Sequence, residues 1–126
     1  MEYSPRVLEL LEHPVNAGEL PNADATGVVG KVEDSEQCII QLRIENDVIR
    51  AAGFLCKGCP GAIASTSAAA SLAVGKSLDE ADEITEEAII EYLGGLPEDK
   101  QHCASHAVEA LRAAIWNYVF APKERG

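Results

Sequence analysis

Positive charge is scarce in this chain. Lys and Arg total 10 against 21 Asp and Glu, a formal net charge of −11 at pH 7, and a surface that acidic repels phosphate backbones and anionic lipid. No nucleic-acid partner is expected. A long apolar run is also lacking, because the most apolar stretch, Ala62 to Val74, is broken by Ser65, Thr66, Ser67 and Ser71 and falls well short of a membrane span. No membrane association is expected. The opening residues Met1-Glu2-Tyr3-Ser4-Pro5-Arg6 hold no basic segment followed by an apolar one, so the expectation is a cytoplasmic protein without a secretory signal. Repeats and low-complexity tracts are missing as well. What remains is 126 residues, 47% hydrophobic and 25% charged, the make-up of one soluble domain over residues 1–126.

Cysteine is sparse but suggestive. In a reducing compartment Cys38, Cys56, Cys59 and Cys103 are expected as free thiols, which favours metal binding or thiol chemistry over structural disulfides. Cys56-x-x-Cys59 has the spacing of a metal knuckle or a redox motif, yet no second CxxC completes a four-Cys zinc site.

Ser4-Pro5 followed by Val7, Leu8, Leu10 and Leu11 reads as a short amphipathic helix ending before Pro14. His13 to Thr26 is rich in turn formers and reads as a loop. From Gly27 to Cys59 the pattern is β: Val28, Val29 and Val32, then Cys38, Ile40, Leu42 and Ile44 alternating with Ile39, Gln41 and Arg43, then Val48-Ile49 beyond Glu45-Asn46-Asp47. Three strands in an antiparallel meander follow. Past Cys59 the chain is helical: an Ala-rich helix from Pro60 to Gly75, a short one from Thr85 to Leu93, and a long one from about Lys100. The long helix carries Ala104, Ala107, Val108, Leu111, Ile115, Tyr118 and Val119 on one face. Strands followed by helices predict an α+β fold, a small three-stranded antiparallel sheet with helices packed on one face.

Two places invite chemistry. Cys59, in Gly58-Cys59-Pro60-Gly61, lies where a strand meets a helix start, and free backbone N–H groups there favour a thiolate. The bland alternative is a small packed hydrophobe. His102-Cys103 opens the last helix after the Gly94-Gly95-Leu96-Pro97 turn and sets imidazole beside thiol, donors that suit zinc or iron. A capping His beside a buried Cys is the corresponding bland alternative.

Four segments occur in one order: Glu12-His13-Pro14-Val15-Asn16-Ala17-Gly18, Gly58-Cys59-Pro60-Gly61-Ala62-Ile63-Ala64-Ser65, Gly75-Lys76-Ser77-Leu78-Asp79-Glu80-Ala81 and Leu96-Pro97-Glu98-Asp99-Lys100-Gln101-His102-Cys103. Together they resemble the iron–sulfur cluster scaffold family, the IscU-like proteins and the N-terminal domain of NifU, from about residue 3 to about residue 119. The resemblance implies the same α+β fold and a site of three Cys with a neighbouring Asp and His. Matched by motif, Cys59 and Cys103 take the second and third Cys positions and His102 the adjacent His. Family members carry Cys-Gly-Asp after the first strand, where this chain has Asp34-Ser35-Glu36, counted with a one-residue gap in the hairpin. Asp34 is therefore expected in place of the first Cys and Glu36 in place of the Asp, both two apart on a strand and facing the site. A carboxylate is a hard donor that holds an iron–sulfur core less firmly than thiolate.

The resemblance thus implies a non-catalytic scaffold that takes sulfur from a cysteine desulfurase and iron from a donor. It would hold a transient 2Fe–2S cluster, or zinc instead, at Asp34, Cys59, His102 and Cys103, and pass it to apo-protein acceptors. Cys38, expected in the core, Cys56, expected to end its strand facing solvent, and His106, expected on the exposed side of the last helix, are the residues that could replace the missing thiol. Leu96-Pro97-Glu98-Asp99-Lys100 stands where specialised scaffolds present Leu-Pro-Pro-Val-Lys, and its two acids argue against a dedicated Hsp70-type chaperone. Two other functions compete: a degenerate zinc-binding sulfur carrier or regulatory partner of a desulfurase, and a CxxC thiol oxidoreductase using Cys56 and Cys59, which lacks the usual βαβ context.

Overall fold

Asn46 and Asp47 both sit at positive φ, 54° and 62°, the backbone of a two-residue hairpin turn whose twist matches the strands it joins. That turn links β2 (Gln37–Glu45) to β3 (Val48–Lys57), and β1 (Ala25–Val29) pairs antiparallel with the other side of β2. The sheet order is β1-β2-β3, a meander. The computed structural model describes residues 3–120.

Alternation along β2 buries Cys38, Ile40, Leu42 and Ile44, the period-2 face expected of a half-covered strand. A register shift between Arg43 and Ile44 re-aims β3, so that Ile49, Ala52 and Phe54 all reach the same core. β3 is far longer than its Val48-Ile49 signal. Its interior Ala51, Ala52 and Gly53 carry little β-propensity and are held by pairing with β2. The free edge of β3 is capped by the loop after the first helix: Gly18 N–H donates to the Phe54 carbonyl at 2.8 Å and Phe54 N–H to the Asn16 carbonyl at 3.0 Å.

Helix α1 (Pro5–Glu12) is N-capped by Ser4. Helix α2 (Pro60–Ala73) starts with Pro at its first position, and α4 (Glu86–Tyr92) is N-capped by Thr85. Helix α5 spans His102–Val119. Between α2 and α4 lies α3 (Leu78–Asp82), a single turn closed by a reciprocal Ser77/Glu80 capping box. The Ser-x-x-Glu signal for that helix stood in the sequence. Val32, expected in a strand, instead lies 76% exposed in the loop before β2. Val119 is half-exposed at the end of α5 rather than part of its buried face.

Helix α2 is buried on nearly every side: Ala62, Ala64, Ser65, Thr66, Ser67, Ala68, Ala69, Ala70 and Ala73 are all inaccessible. Small side chains let α5, with Ala104, Ala107, Ala110 and Ala114 buried in turn, approach it closely. Both helices pack on the sheet. This stacking places the N-termini of α2 and α5 at the same end of the sheet, beside the β1–β2 loop. No helix among the described residues is long and apolar enough to cross a membrane.

Candidate metal centre

Cys59 occupies the N-cap of α2, where the chain leaves β3 extended (φ −76°, ψ 168°) and no side chain caps the helix. Cys103 is the second residue of α5 and is fully buried. Although 44 residues apart in sequence, their Sγ atoms are 3.7 Å apart. Glu36 completes a triad, its Oε2 lying 4.0 Å from Cys59 Sγ. One donor atom from each of Glu36, Cys59 and Cys103 falls within 4.8 Å of the other two, a spread that small side-chain motions bring to the 2.0–2.3 Å bonds of roughly tetrahedral zinc or iron.

Imidazoles flank the triad. His102, exposed at the start of α5, has Nε2 3.8 Å from Cys103 Sγ. His106, one turn later, has Nδ1 2.9 Å from Glu36 Oε1, and the two rings meet edge to face at 5.5 Å. That contact fixes which way the carboxylate points. Tyr3 and Lys100 close the outer side, near the spot where a Cβ on Gly61 would stand. Burial raises the Tyr3 phenol above its ordinary value, helped by nearby Cys59 and opposed by Lys100 and the Gly61 backbone. Burial, then the charge of Cys59, pushes the Cys103 thiol up to about 12, against the pull of Lys100.

The structure brings together three of the four expected ligands and puts the fourth elsewhere. Asp34 lies in the exposed β1–β2 loop, where its Oδ2 accepts from the Lys31 N–H at 2.8 Å while its own N–H donates to the Lys31 carbonyl. This local pair of bonds holds the carboxylate within its own loop, and Asp34 is outside the donor triad. Nor are Asp34 and Glu36 on a strand, because β2 begins at Gln37. Glu36, expected only as a neighbour, is the carboxylate beside the thiols.

Cys38 is buried as expected. Cys56 does not face solvent; it is half-buried, packs on the core, and stands directly across from Cys38 with the sulfurs 3.7 Å apart. Its thiol hydrogen bond brings Cys38 down to about 7, while Cys56 itself is driven up. His106 is not on an open face either, being engaged with Glu36. Its spacing of four from His102 was the signal, but only the loop's path reveals its partner.

A consequence for labelling arises here. In the metal-free protein iodoacetamide is expected to modify Cys59 well before Cys103, because Cys59 is partly exposed whereas Cys103 is buried and holds its proton. Peptide mass mapping over a time course measures the order, and equal rates would show that the triad opens freely.

Two thiols and a carboxylate, gathered from a loop and two helix starts on a small α+β frame, form a donor set of the kind that suits a soft metal ion. The chain belongs to the NifU-like N-terminal domain family, whose model matches residues 2–125. It is 39% identical over 116 residues to the iron–sulfur cluster assembly scaffold protein IscU 1 of Archaeoglobus fulgidus, covering 92% of this chain and 76% of that one. It is 40% identical over 119 residues to the iron–sulfur cluster assembly protein IscU of Plasmodium falciparum, covering 92% and 73%. Against the nitrogen fixation protein NifU of Nostoc it is 42% identical over 125 residues, and there the chain spans only 42% of the relative's length. In fold it resembles the crystal structure of a putative SUF-system scaffold from Fervidobacterium islandicum, with a TM-score of 0.70 at 19% identity over 90% of this chain and 96% of that one.

Proposed function

We propose that Glu36, Cys59 and Cys103, with His102 at the rim, hold a transient 2Fe–2S cluster that is assembled on this chain and handed on. The protein is an iron–sulfur cluster assembly scaffold of the NifU and IscU kind, non-catalytic, from a family that binds its cluster transiently. One observation carries the residue assignment: two thiols 44 residues apart in sequence stand 3.7 Å apart beside a carboxylate that His106 orients.

Sulfur would arrive as the persulfide of a cysteine desulfurase. The Cys59 thiolate attacks the outer sulfur, the donor's S–S bond breaks, and the donor leaves as a thiolate. Cys59 fits this step because it is the accessible thiol of the pair. An iron donor and apo-protein acceptors complete the proposed partners, all of them implied by assembly and release. A dedicated Hsp70-type chaperone is left out. Leu96 and Pro97 are buried and Glu98–Lys100 form a 3-10 turn, so this segment offers no extended apolar peptide.

Anaerobic reconstitution with iron, cysteine and a desulfurase tests the assignment. Glu36→Ala is expected to cut cluster yield or lifetime at least about tenfold, the usual scale for losing a metal-site group, whereas Asp34→Ala leaves both nearly unchanged. Visible absorption and metal analysis are the readouts. The reverse ranking would move the carboxylate ligand to Asp34. A second reading, resident zinc in a regulatory or sulfur-carrying protein, is favoured by the carboxylate itself, since two thiolates, one carboxylate and one imidazole make a four-donor zinc set. Stoichiometric zinc without visible absorption after reconstitution would support it.

A further inference from the structure

Spacing in the sequence groups Cys56 with Cys59, but the fold groups the four thiols differently: Cys59 with Cys103, and Cys56 with Cys38. The second pair belongs to no metal triad among the described residues. It is built for closure. Cys38 and Cys56 are direct cross-strand partners, and opposed residues of an antiparallel pair have Cα atoms about 4.5–5.5 Å apart, inside the range a disulfide spans. Their sulfurs, at 3.7 Å, need to approach by less than about 2 Å to bond.

The pair also sits next to the site. Two residues before Cys38 is Glu36, and two after Cys56 is Gly58; a Cβ on Gly58 would lie 2.8 Å from Glu36 Cγ, so the two chains stay side by side beyond the last ladder pair. The dithiol is therefore two residues, at most about 7 Å of chain, inward from the Glu36 level. Cys59 follows Gly58 directly.

Chemistry gives this placement a use. Sulfur delivered as a persulfide is formally zero-valent, whereas the sulfur of a cluster is sulfide, so each atom must gain two electrons. We propose that Cys38 and Cys56 are a built-in two-electron donor that reduces the sulfane sulfur received at Cys59; this rests on the scaffold reading above. In the first step Cys56, the more exposed of the pair, gives its proton to the Cys38 sulfur 3.7 Å away as it attacks the outer sulfur of the Cys59 persulfide. The S–S bond to Cys59 breaks, the sulfane sulfur bonds to Cys56, and Cys59 leaves as a thiolate that takes that proton from Cys38, which is left as a thiolate. In the second, Cys38 attacks Cys56 Sγ, the bond to the sulfane sulfur breaks, and hydrosulfide departs with the electron pair. The sum is one persulfide and two thiols converted to one thiol, one hydrosulfide and the Cys38–Cys56 disulfide. A low-molecular-weight thiol, oxidised to its own disulfide, would reset the pair.

The test is a single turnover without added thiol. The full chain is treated anaerobically with inorganic polysulfide, freed of excess by gel filtration, and assayed for hydrosulfide and by peptide mass mapping. One hydrosulfide per persulfidated chain is expected, together with a peptide linked through Cys38 and Cys56. Cys56→Ser should keep one sulfur mass on Cys59 and lose the hydrosulfide, and Cys59→Ser should lose both the hydrosulfide and the linkage. The linkage map of the unsubstituted chain holds even where a variant folds poorly. Undiminished hydrosulfide from Cys56→Ser, undiminished linkage in Cys59→Ser, or a disulfide joining Cys59 to Cys103 instead would overturn the proposal. Persulfide retained on Cys59 of the unsubstituted chain with no hydrosulfide overturns it too, while leaving the scaffold reading intact. Failure of Cys59 to take any sulfur removes that reading's sulfur step, and this proposal with it.

Discussion

Gly27→Ala is expected to cost about 3 kcal/mol of folding stability, the upper end for overpacking, and to lower the thermal midpoint by about 10 °C. Gly27 lies in β1 opposite Ile40, on the face that α5 crosses. A Cβ there would run into the Ala110 carbonyl oxygen and the Ala114 amide nitrogen. Both are helix backbone, so no rotamer change relieves the clash and α5 must lift from the sheet. Its lift would also loosen the bond from Asn117 Nδ2 to the Thr26 carbonyl, 2.8 Å in length. Gly61→Ala is the control: the new methyl would lie 3.4 Å from Cys103 Sγ, in ordinary contact, and stability should stay within about 1 kcal/mol. Calorimetry of the metal-free variants decides. A Gly27→Ala protein as stable as its parent would mean that α5 does not rest on β1 as described.

Cys59→Ala and Cys103→Ala are each expected to abolish cluster reconstitution, because either loss leaves one thiolate and a carboxylate where a soft metal needs more soft donors. Loading by the unsubstituted protein should also depend on pH in a definite direction. The folded Cys103 thiol, at about 12, lies above the ordinary value of 9.0, so in the metal-free protein it is protonated throughout the neutral range. Binding must expel that proton, and apparent zinc affinity should rise about tenfold per pH unit for this group between roughly pH 6 and 8. Competition with a chromophoric chelator measures the slope. A pH-independent affinity would mean that Cys103 stays protonated and is not a ligand.

The helices and the meander were legible because their signals are local. Ser4-Pro5 and Thr85 capped where they should, and the β2 alternation from Cys38 to Ile44 gave its face directly. The extent of β3 was not, since Ala51, Ala52 and Gly53 have no strand preference of their own and are extended only because β2 pairs with them. At the site, motif spacing led to Cys59, His102 and Cys103, which sit on helix starts with recognisable punctuation. The pairing of Glu36 with His106 was not legible, for a different reason. Their meeting at 2.9 Å joins residues 70 apart, and it depends on how a seven-residue turn folds, including the local Lys31–Asp34 bond that draws the neighbouring carboxylate away. Cys56 shows the same limit, since its partner across the ladder, Cys38, is fixed by register rather than by proximity in sequence.

The burial of α2 on nearly every side has a consequence for how cargo leaves. Local opening follows the least protected parts of a fold, and Cys59 and Cys103 are carried by the N-termini of two helices that pack on one another and on the sheet. The interior amides of both helices, past their unpaired first turns, should be among the slowest to exchange with deuterium. Glu36, by contrast, ends a loop whose residues 31–35 are all exposed and whose internal bonding is a single local turn. On the ligand set proposed above, release is expected to begin on the carboxylate side, at the donor that holds a soft metal least tightly.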